Sequence, residues 1–408
     1  MKNTFDAFAS EIIANPYPAL ARLRAADPVS WNEPLKGWLL TTYDDVKAAQ
    51  KDSRFSAERV KPFTMHMAAT KRPELERMGT LLNHWLLFRD PPAHTPLRRL
   101  LIDAFTPRAI NALRPRIGEI VEELLDPLSD RNQFDMISDF AFPMPATVIA
   151  HILGVPSSDV PKFRTWSNDL ATVIGNSRQV PDRFERGARA LFTLTDYFRT
   201  TVSHRRNART KGVLVDDLIA AQESGGPMSE EELVASCILI LFAGHETTMN
   251  LIGNATLLLF KNPDQWALLR NDPNLISSMV EEVLRYECAA FVIVRVANED
   301  IEIGGKRISK GDRVFLMLGA ANRDPIHFDD PERFDILRKP NRHLSFGFGI
   351  HFCIGAQLAR VEAEVAFKHL LPLMKDFEPV SDDFDWDDNF VLRGVKSLLL
   401  QRRAVAAA

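Results

Sequence analysis

The chain has 408 residues, of which 46% are hydrophobic and 25% are charged, as expected for a globular protein with a large core. Its net charge of -4 excludes the strongly basic balance typical of nucleic-acid-binding proteins. Cys237, Cys288 and Cys353 lie too far apart for a disulfide framework or a paired zinc site, which favours a reducing, cytoplasmic setting. The N-terminal stretch MKNTFDAFASEIIANPYPAL has neither a signal-peptide core nor a membrane anchor, so we expect no membrane association.

The first hundred residues mix helical stretches with short strands. One strand is predicted at 38–42, just before a helix that begins at Tyr43. Periodicity is mainly helical over 103–211, and it changes to strands over 300–318, with a hairpin around Gly304-Gly305. No linker-like tract or internal repeat divides the chain. The sequence predicts one domain over residues 1–408, mainly α with a minor β portion.

The segment 56–89 has no clean period and carries Phe63 among polar residues. A long irregular segment in a compact protein is often a binding loop or lid. A floppy surface loop is an equally good interpretation of the same residues.

A long central helix is predicted from Ser229 to Phe260. Ser229 and Glu232 form a Ser-x-x-Glu capping box, and a long apolar run follows them. Such a helix would be about 48 Å long. Polar residues from His245 to Asn254 fall in its middle, where they would be costly in a bilayer. The pattern therefore indicates a helix buried in a protein core.

The polar block of this helix contains the sequence AGHETT, from Ala243 to Thr248. A carboxylate and alcohols inside an apolar helix are costly unless they have partners or a task. Thr247 can bond back to a carbonyl one turn earlier, and Gly244 removes side-chain bulk from one face. Two interpretations remain open here: a polar kink satisfied by water, and a proton relay that faces a cofactor.

The stretch FGFGIHFCIG, residues 346–355, places Cys353 among three glycines and directly before a predicted helix. A helix N-terminus favours the thiolate form of a cysteine. Gly347, Gly349 and Gly355 would let a bulky group approach the sulfur closely. The alternative is an inert cysteine beside a flexible turn, which the glycine spacing disfavours.

Several charged residues suggest ion pairs or an anionic ligand. Glu282 and Arg285 are three residues apart on a predicted helix, so they can pair, and Arg333 could supply a second arginine. Basic residues also occur in four other places, and together they suggest an anionic ligand, although each alone could be a surface charge: His94, Arg98, Arg295 and His351.

These segments resemble the cytochrome P-450 superfamily. FGFGIHFCIG is similar to its haem-binding loop, Phe-x-x-Gly-x-x-x-Cys-x-Gly, AGHETT to its oxygen-activating helix, EVLR to its Glu-x-x-Arg pair, and PERF to the segment that supplies the third arm of that triad. DPPAHTPLRR and ANRDP resemble stretches of soluble bacterial members. The resemblance extends from about residue 10 to residue 400, in the expected order.

The resemblance implies a single-domain, mostly helical fold with a haem b, iron protoporphyrin IX, between the central helix and the cysteine helix. Cys353 would be the axial thiolate, whose electron donation favours O–O cleavage. It implies that Phe346, Gly347, Gly355 and Ala243 contact the haem. It also implies that the propionates are bound by His94, Arg98, Arg295 and His351. A structural triad of Glu282, Arg285 and Arg333 would steady the cysteine loop, residues 346–355.

The resemblance further implies an apolar substrate pocket. Its expected walls are the regions 63–82 and 170–174 together with Leu239, Phe242, Ala243, Ala290, Phe291, Val292, Ile293, Phe390 and Val391. Relatives often carry a proline between the Glu-x-x-Arg pair and the propionate arginine, whereas this chain has ECAAFVIV at 287–294. The shape of the pocket is therefore expected to differ from theirs.

The implied activity is a monooxygenase that hydroxylates or epoxidises an apolar organic substrate. Thr247 would hold the distal oxygen and its water, and Glu246 would relay protons inward. The partners would be O2 and a ferredoxin with an NAD(P)H-dependent reductase, because no flavin or iron–sulfur segment is present; we expect a monomer. A ferredoxin could dock on a basic face formed by Arg98, Arg99, Arg338, Lys339 and Arg342.

Four other functions agree less well with these residues. A peroxide-driven peroxygenase and a nitric oxide reductase of the same fold typically lack the acid–alcohol pair that Glu246-Thr247 provides. A cysteine hydrolase using Cys353 and His351 has poor geometry, because the two residues are only two positions apart and no third group orients the base. A non-catalytic haem sensor would have little use for the Glu246-Thr247 pair.

Overall fold

The computed structural model describes residues 5–60, 72–175, 177 and 180–403. Helices dominate it, as the periodicity predicts. In chain order the α-helices are α1 Ser10–Ala14, α2 Tyr17–Ala26, α3 Tyr43–Ala49, α4 Pro73–Leu82, α5 His94–Ile102, α6 Pro107–Ser129, α7 Pro143–Leu153, α8 Val160–Ile174, α9 Arg183–Ala208, α10 Leu214–Glu223, α11 Glu230–Lys261, α12 Pro263–Asn271, α13 Ile276–Tyr286, α14 Leu318–Ala321 and α15 Ala356–Met374.

Short strands form the minor β portion. They are β1 Val29–Asn32, β2 Gly37–Leu40, β3 Phe55–Ser56, β4 Gln133–Asp135, β5 Val292–Ala297, β6 Ile301–Ile303, β7 Lys306–Ile308, β8 Arg313–Met317, β9 Phe377–Pro379 and β10 Leu399–Arg402. The larger sheet has the order β1-β2-β8-β5-β3, in which only β2 and β8 are parallel. β4, β10 and β9 form a second sheet, and β6 and β7 form the predicted hairpin, with Gly304 and Gly305 at positive φ.

The long helix α11 crosses the helical core. Its capping box is formed as predicted: the Ser229 hydroxyl accepts a hydrogen bond from the Glu232 amide at 3.2 Å, and the Ser229 amide donates to the Glu232 carboxylate at 2.8 Å. Its apolar residues are buried on most sides by α7, α9 and α15, which explains why the helix is apolar nearly all round.

The buried side chains form two clusters. The larger one surrounds α11 and is built by the helices, whereas the smaller one joins the five-stranded sheet to the N-terminal helices α1 and α2. α15 begins directly after the cysteine loop and contacts α11, so the loop and α11 lie on neighbouring elements. This arrangement places the predicted site inside the molecule.

The segment 56–89 is more regular than its sequence indicates. Its second half contains α4 and a 3₁₀ turn at Leu86–Phe88, so the prediction of an irregular loop was wrong there. The apolar positions Leu75, Met78 and Leu82 lie at helical spacing and are all buried, which is the physical reason for the helix. Residues 61–71, including Phe63, lie outside the described residues.

Two helical stretches of the described chain are long and apolar enough to cross a membrane, residues 136–153 and α11. In the apolar 18-residue window of each stretch, 67% and 78% of the residues, respectively, are buried inside the protein. Burial of this extent is what core helices show, and it agrees with the polar block in α11.

Candidate active site

The cysteine loop is held by its backbone and by a glutamine from a distant helix. The Cys353 amide donates to the Phe346 carbonyl at 2.8 Å, and the Phe348 amide donates to the Gln50 side-chain oxygen at 2.8 Å. Gly349 has a φ of 74°, and a Cβ at this residue would lie 2.9 Å from the Gln50 carbonyl oxygen. The loop therefore fits against α3 only with glycine at position 349, and Gln50 is a residue that the sequence did not indicate.

Cys353 lies three residues before α15, as predicted. The residue is exposed. Burial nevertheless raises the pKa of its thiol above the ordinary value, opposed by the Gly355 amide and the positive charges of Arg98 and Arg360. Both facts fit a sulfur in a recess that solvent reaches from one side. The helix end therefore does not make the thiol acidic by itself, which corrects the expectation of a thiolate before metal binding; a coordinated metal deprotonates such a thiol.

The centre of α11 opens on one face. Leu239, Ala243 and Thr247 follow at four-residue spacing, and all three keep accessible surface, with Ala243 exposed. Most of the flanking turns are buried. On the other face a Cβ at Gly244 would lie 2.5 Å from the Ile149 side chain of α7, so the glycine permits close helix packing. An exposed alanine in the middle of a core helix indicates a cavity along this face.

The acid–alcohol pair lies at this opening. The Thr247 hydroxyl donates to the Ala243 carbonyl at 3.1 Å, and α11 remains helical throughout. Glu246 is buried, and its Oε1 has no hydrogen-bond partner among the described residues; Nε2 of His245 lies 3.4 Å from this oxygen. His245 is itself fixed through Nδ1, which lies 2.5 Å from the Leu241 carbonyl oxygen.

A second buried acid stands next to this pair and was not indicated by the sequence. Glu362 of α15 is fully buried, and neither of its carboxyl oxygens has a partner with good hydrogen-bond geometry among the described residues. Burial raises its pKa well above the ordinary value, and an interaction with the Thr248 hydroxyl only partly opposes this. Burial therefore favours the protonated form of Glu362, and its interaction with Thr248 connects α15 to α11.

Four predicted basic residues converge near the cysteine. The rings of His94 and His351 lie 4.4 Å apart, and Arg98 donates to the Phe352 carbonyl at 2.5 Å. Arg295 is buried, and within the described chain its side chain donates only to the Val294 carbonyl, at 3.0 Å. Nε2 of each histidine is buried and has no partner within the described part of the chain.

This cluster fits a ligand that carries carboxylates. Burial, together with the charges of Arg295, His94 and Arg98, lowers the pKa of His351 to about 3, which shows that the site disfavours a further positive charge. No carboxylate of the described residues forms an ion pair with these four side chains. Unpartnered buried donors of this kind require an anion. The propionates of a haem supply that chemistry, so the residues present fit the group implied by the sequence.

The predicted pair of Glu282 and Arg285 is formed, but the third member of the triad is not Arg333. Arg285 pairs with both oxygens of Glu282 at 2.8 Å, and both side chains are fully buried. The third cation is Arg338, whose Nε donates to Glu282 at 3.2 Å. Arg333 is exposed and contributes only its backbone carbonyl, which accepts from Arg285 at 3.0 Å. The assignment of the Arg333 side chain to the triad was therefore wrong.

The neighbouring glutamate holds the other flank of the loop. Glu281 accepts from Arg360 at 2.6 Å and lies 3.1 Å from Nε2 of His343. Burial alone would raise its pKa, but these two partners lower it to about 2. The Arg360 guanidinium also lies 4.4 Å from the centre of the Phe346 ring. Consecutive acids of α13 thus fix both ends of the cysteine loop, and the sequence indicated only Glu282.

The residues predicted to line the pocket divide into two groups. Five of them keep accessible surface and can line a cavity: Leu239, Ala243, Ala290, Ile293 and Val391. The segment 170–174 divides in the same way, because Leu170 is fully buried and Ile174 is half-buried.

Four other predicted pocket residues are buried against protein neighbours. Phe291 packs against Tyr17, with ring centres 6.0 Å apart, and Phe390 packs against Phe315 at 5.6 Å. Val292 belongs to the smaller buried cluster, which also contains Phe291 and Phe390. The ring centres of Phe242 and Trp85 lie 5.9 Å apart. These four side chains contact protein neighbours and keep little accessible surface, and their assignment to the pocket stays a prediction.

Comparison with known proteins agrees with this geometry. A sequence model described as Cytochrome P-450 matches residues 38–383. The polyketide biosynthesis cytochrome P-450 PksS of Bacillus subtilis is 37% identical, with 97% of this chain and 98% of that protein aligned. The biotin biosynthesis cytochrome P-450 of the same organism is 40% identical over 93% of each chain.

Solved structures show the same fold. P-450 BioI in complex with an acyl carrier protein ligated to hexadec-9Z-enoic acid has a TM-score of 0.89 at 38% identity, covering 97% of this chain and 99% of that one. The myxobacterial CYP267B1 in complex with myristic acid has a TM-score of 0.90 at 37% identity, covering 98% and 99%. The chain therefore belongs to the bacterial cytochrome P-450 family, whose cofactor is iron protoporphyrin IX, and it is a haem-thiolate monooxygenase.

Proposed function

We propose that the protein inserts one atom of O2 into an apolar organic substrate, by hydroxylation or epoxidation, with two electrons supplied by a separate protein. The observation that carries this proposal is the opening at Ala243 in the middle of α11, with Thr247 one turn further on. An exposed face on a core helix is a binding surface, and here it carries an alcohol next to a buried acid.

Cys353 is the proposed axial ligand, and the propionates are assigned to His94, Arg98, Arg295 and His351. Phe346, Gly347, Gly355 and Ala243 are the proposed haem contacts. When bound, the thiolate-ligated haem activates O2 and supplies the oxygen atom that is transferred. The backbone bond from Cys353 to Phe346 and the contact of Gly349 with Gln50 fix the sulfur before the haem enters. This preorganisation is the contribution of the loop.

Protons are the second requirement of the reaction. The Thr247 hydroxyl lies at the open face and can turn from the Ala243 carbonyl toward a bound water. Glu246 lies one residue earlier, with an unpartnered carboxylate oxygen that can accept and pass on a proton. In this assignment Thr247 holds the water and Glu246 delivers the proton to it.

The substrate is proposed to be apolar, with a fatty acyl chain as the first class to test. Leu239, Ala290, Ile293 and Val391 offer apolar surface with no charge among them. Two related structures contain a fatty acid or a fatty acyl group, myristic acid in one and a hexadecenoyl group on its carrier in the other.

A ferredoxin is the proposed electron donor. Arg99, Lys339 and Arg342 are exposed and can form part of a basic docking face. Arg338, which was expected in the same patch, is instead bonded to Glu282 and to backbone carbonyls, so it is unavailable to a partner. Electron transfer that slows steeply with added salt would support this docking face, whereas a flat response would count against it.

The proposal is tested by comparing two adjacent alcohols. Thr247→Ala should lower the yield of product per electron consumed by about tenfold or more, because the water at the open face loses its hydrogen bond. Thr248→Ala is the matched control, since Thr248 is buried and faces Glu362 rather than the opening. Product and reductant consumption are measured with a bacterial ferredoxin, its reductase and the fatty acid that gives the largest spin-state shift.

Equal coupling in wild type and Thr247→Ala would contradict the assigned role. Rapid product formation with hydrogen peroxide, without any reductase, would instead favour the peroxygenase interpretation. A protein that binds haem and consumes no electrons with any apolar compound would point to a sensor.

A further inference from the structure

A fifth basic side chain stands beside the four already described. Arg59 follows β3, and β3 pairs in antiparallel fashion with β5, the strand that carries Arg295. The pairing of Phe55 with Ala297 brings this turn to the end of β5. Neither the sequence motifs nor the proposed function gives Arg59 a role.

Neighbouring residues hold this turn in place. Asp90 accepts from the Ser56 hydroxyl at 2.5 Å and from the Ala57 amide at 3.0 Å. The Arg59 amide then donates to the Ala57 carbonyl at 2.7 Å, which makes a tight turn. Both oxygens of Asp90 are thus engaged by the turn that precedes Arg59.

The guanidinium of Arg59 is oriented by an aromatic surface. It lies 5.0 Å from the centre of the Phe88 ring, and Phe88 is stacked on Trp85 with their planes 10° apart. Stacking of this kind covers one face of the guanidinium and leaves its N–H edge available. Among the described residues no carboxylate lies within ion-pair distance of Arg59 or Arg295.

Two cations in this position need an anion. Burial and the charge of Arg295 lower the pKa of Arg59 to about 10, and burial lowers that of Arg295 to about 10, offset in part by Asp90. Even with these shifts both side chains remain charged at neutral pH. An ordered pair of like charges persists in a fold when a bound anion neutralises it.

We propose that Arg59 and Arg295 together bind one carboxylate, with the N–H edge of Arg59 as a binding group that no carboxylate of the described residues neutralises. The carboxylate comes from one of two sources, a haem propionate or the acid group of a fatty-acid substrate. A guanidinium fork matches the geometry of either carboxylate. The inference rests on the proposed function and deepens it, because it assigns a residue to the cofactor or to the substrate class.

The test uses three variants of the haem-loaded protein. Arg59→Gln removes the charge, and Arg59→Lys keeps the charge but loses the fork. Arg54→Gln is the matched control, because Arg54 is exposed, lies in the same turn region and pairs with Asp52 at 2.6 Å. Circular dichroism and the spectrum of the reduced, carbon-monoxide-bound protein confirm that each variant is folded and keeps its thiolate ligand.

Two measurements separate the sources. The first is the rate of haem transfer to excess apomyoglobin, and the second is the spin-state titration with myristic acid and with its methyl ester. If a propionate is the ligand, Arg59→Gln should lose haem on the order of tenfold faster, with partial rescue in Arg59→Lys. If the substrate acid is the ligand, myristic acid should bind on the order of tenfold more weakly while the ester is unaffected.

Haem loss unchanged in Arg59→Gln, together with an unchanged or absent preference for acid over ester, overturns the proposal. The proposal is also overturned if Arg54→Gln has as large an effect as Arg59→Gln. A wild-type protein without the thiolate spectrum would instead contradict the proposed function, so the two failures are distinguishable.

Discussion

The charged side chains on the two sides of the cysteine loop differ in whether they have partners of opposite charge. On the α13 side, arginines and a histidine contact the carboxylates of Glu281 and Glu282 at hydrogen-bond distance, so both acids are saturated. Two of these arginines, Arg285 and Arg338, also donate to backbone carbonyls. On the propionate side, basic residues are gathered without a carboxylate in ion-pair distance among the described residues. A saturated network holds the polypeptide together, whereas an unsaturated one marks the place of a ligand.

This difference separates structural residues from binding residues without reference to any motif. A substitution in the saturated network should reduce the stability of the folded chain. A substitution in the unsaturated cluster should leave the folded chain intact and weaken its hold on an anion. The following experiments test this distinction.

The largest effect is expected for Arg285→Ala. The substitution leaves Glu282 buried without its main counter-charge, which should reduce the free energy of unfolding by about 3–5 kcal/mol. Urea denaturation followed by circular dichroism measures the loss. A reduction below 1 kcal/mol would show that the Glu282 network does not hold the loop.

Arg338 and Arg333 form a matched pair for the corrected triad. Arg338→Ala should cost about 2–3 kcal/mol, because it removes a charge-assisted bond to Glu282 and several bonds to carbonyls. Arg333→Ala should cost less than about 0.5 kcal/mol, because its side chain is exposed. Denaturation curves recorded under identical conditions compare the two, and the reverse order would restore Arg333 to the triad.

Arg295→Gln should act on the ligand rather than on the chain. Haem affinity should fall by about 2 kcal/mol, or about 30-fold, because a charge-assisted bond to the anion is lost. The haem-free chain should be at least as stable as wild type, since a buried cation without a counter-charge is removed. Haem titration and urea denaturation of the haem-free protein measure the two quantities. A haem-free variant that is clearly destabilised would place Arg295 among the structural residues.

The smallest effect concerns the pH dependence that Glu362 contributes. Its raised pKa means that the folded chain keeps the proton above the ordinary value of 4.5, while the unfolded chain loses it. Stability is therefore lost as pH rises from 4.5 toward the raised pKa, by at most about 1.4 kcal/mol per pH unit. Glu362→Gln removes this loss.

The haem-loaded Glu362→Gln variant should lose less stability than wild type as the pH rises from 5 to 7. Urea denaturation at the two pH values measures the difference, and the haem contribution cancels between the proteins. Parallel pH profiles would show that Glu362 is ionised in the folded protein.

The sequence predicted features that depend on local period and failed where distant segments decide. The Glu282–Arg285 pair follows from helical spacing, and the position of Cys353 before α15 follows from the glycines. Arg338 was missed as a partner of Glu282 because the chain from Pro331 onward is not helical. Its path through space, rather than a regular spacing in the sequence, decides which arginine contacts Glu282. Gln50 was missed because it acts across almost 300 residues of chain.

The pocket shows the same limit. An apolar residue has the same appearance in a sequence whether a substrate or another side chain covers it. Phe291 and Phe390 are covered by Tyr17 and Phe315, and this contact exists only after the sheet has formed against the N-terminal helices. Ala243 keeps accessible surface in the middle of α11, and its assignment to the haem and the pocket stays a prediction.

The central claim is that Cys353 ligates the haem iron as a thiolate. Its most direct test is the absorption spectrum of the reduced protein with carbon monoxide. We predict a Soret band strongly red-shifted from that of imidazole-ligated haem, and loss of that shift in Cys353→His. A haem-loaded wild-type protein whose band lies at the imidazole position would contradict the account.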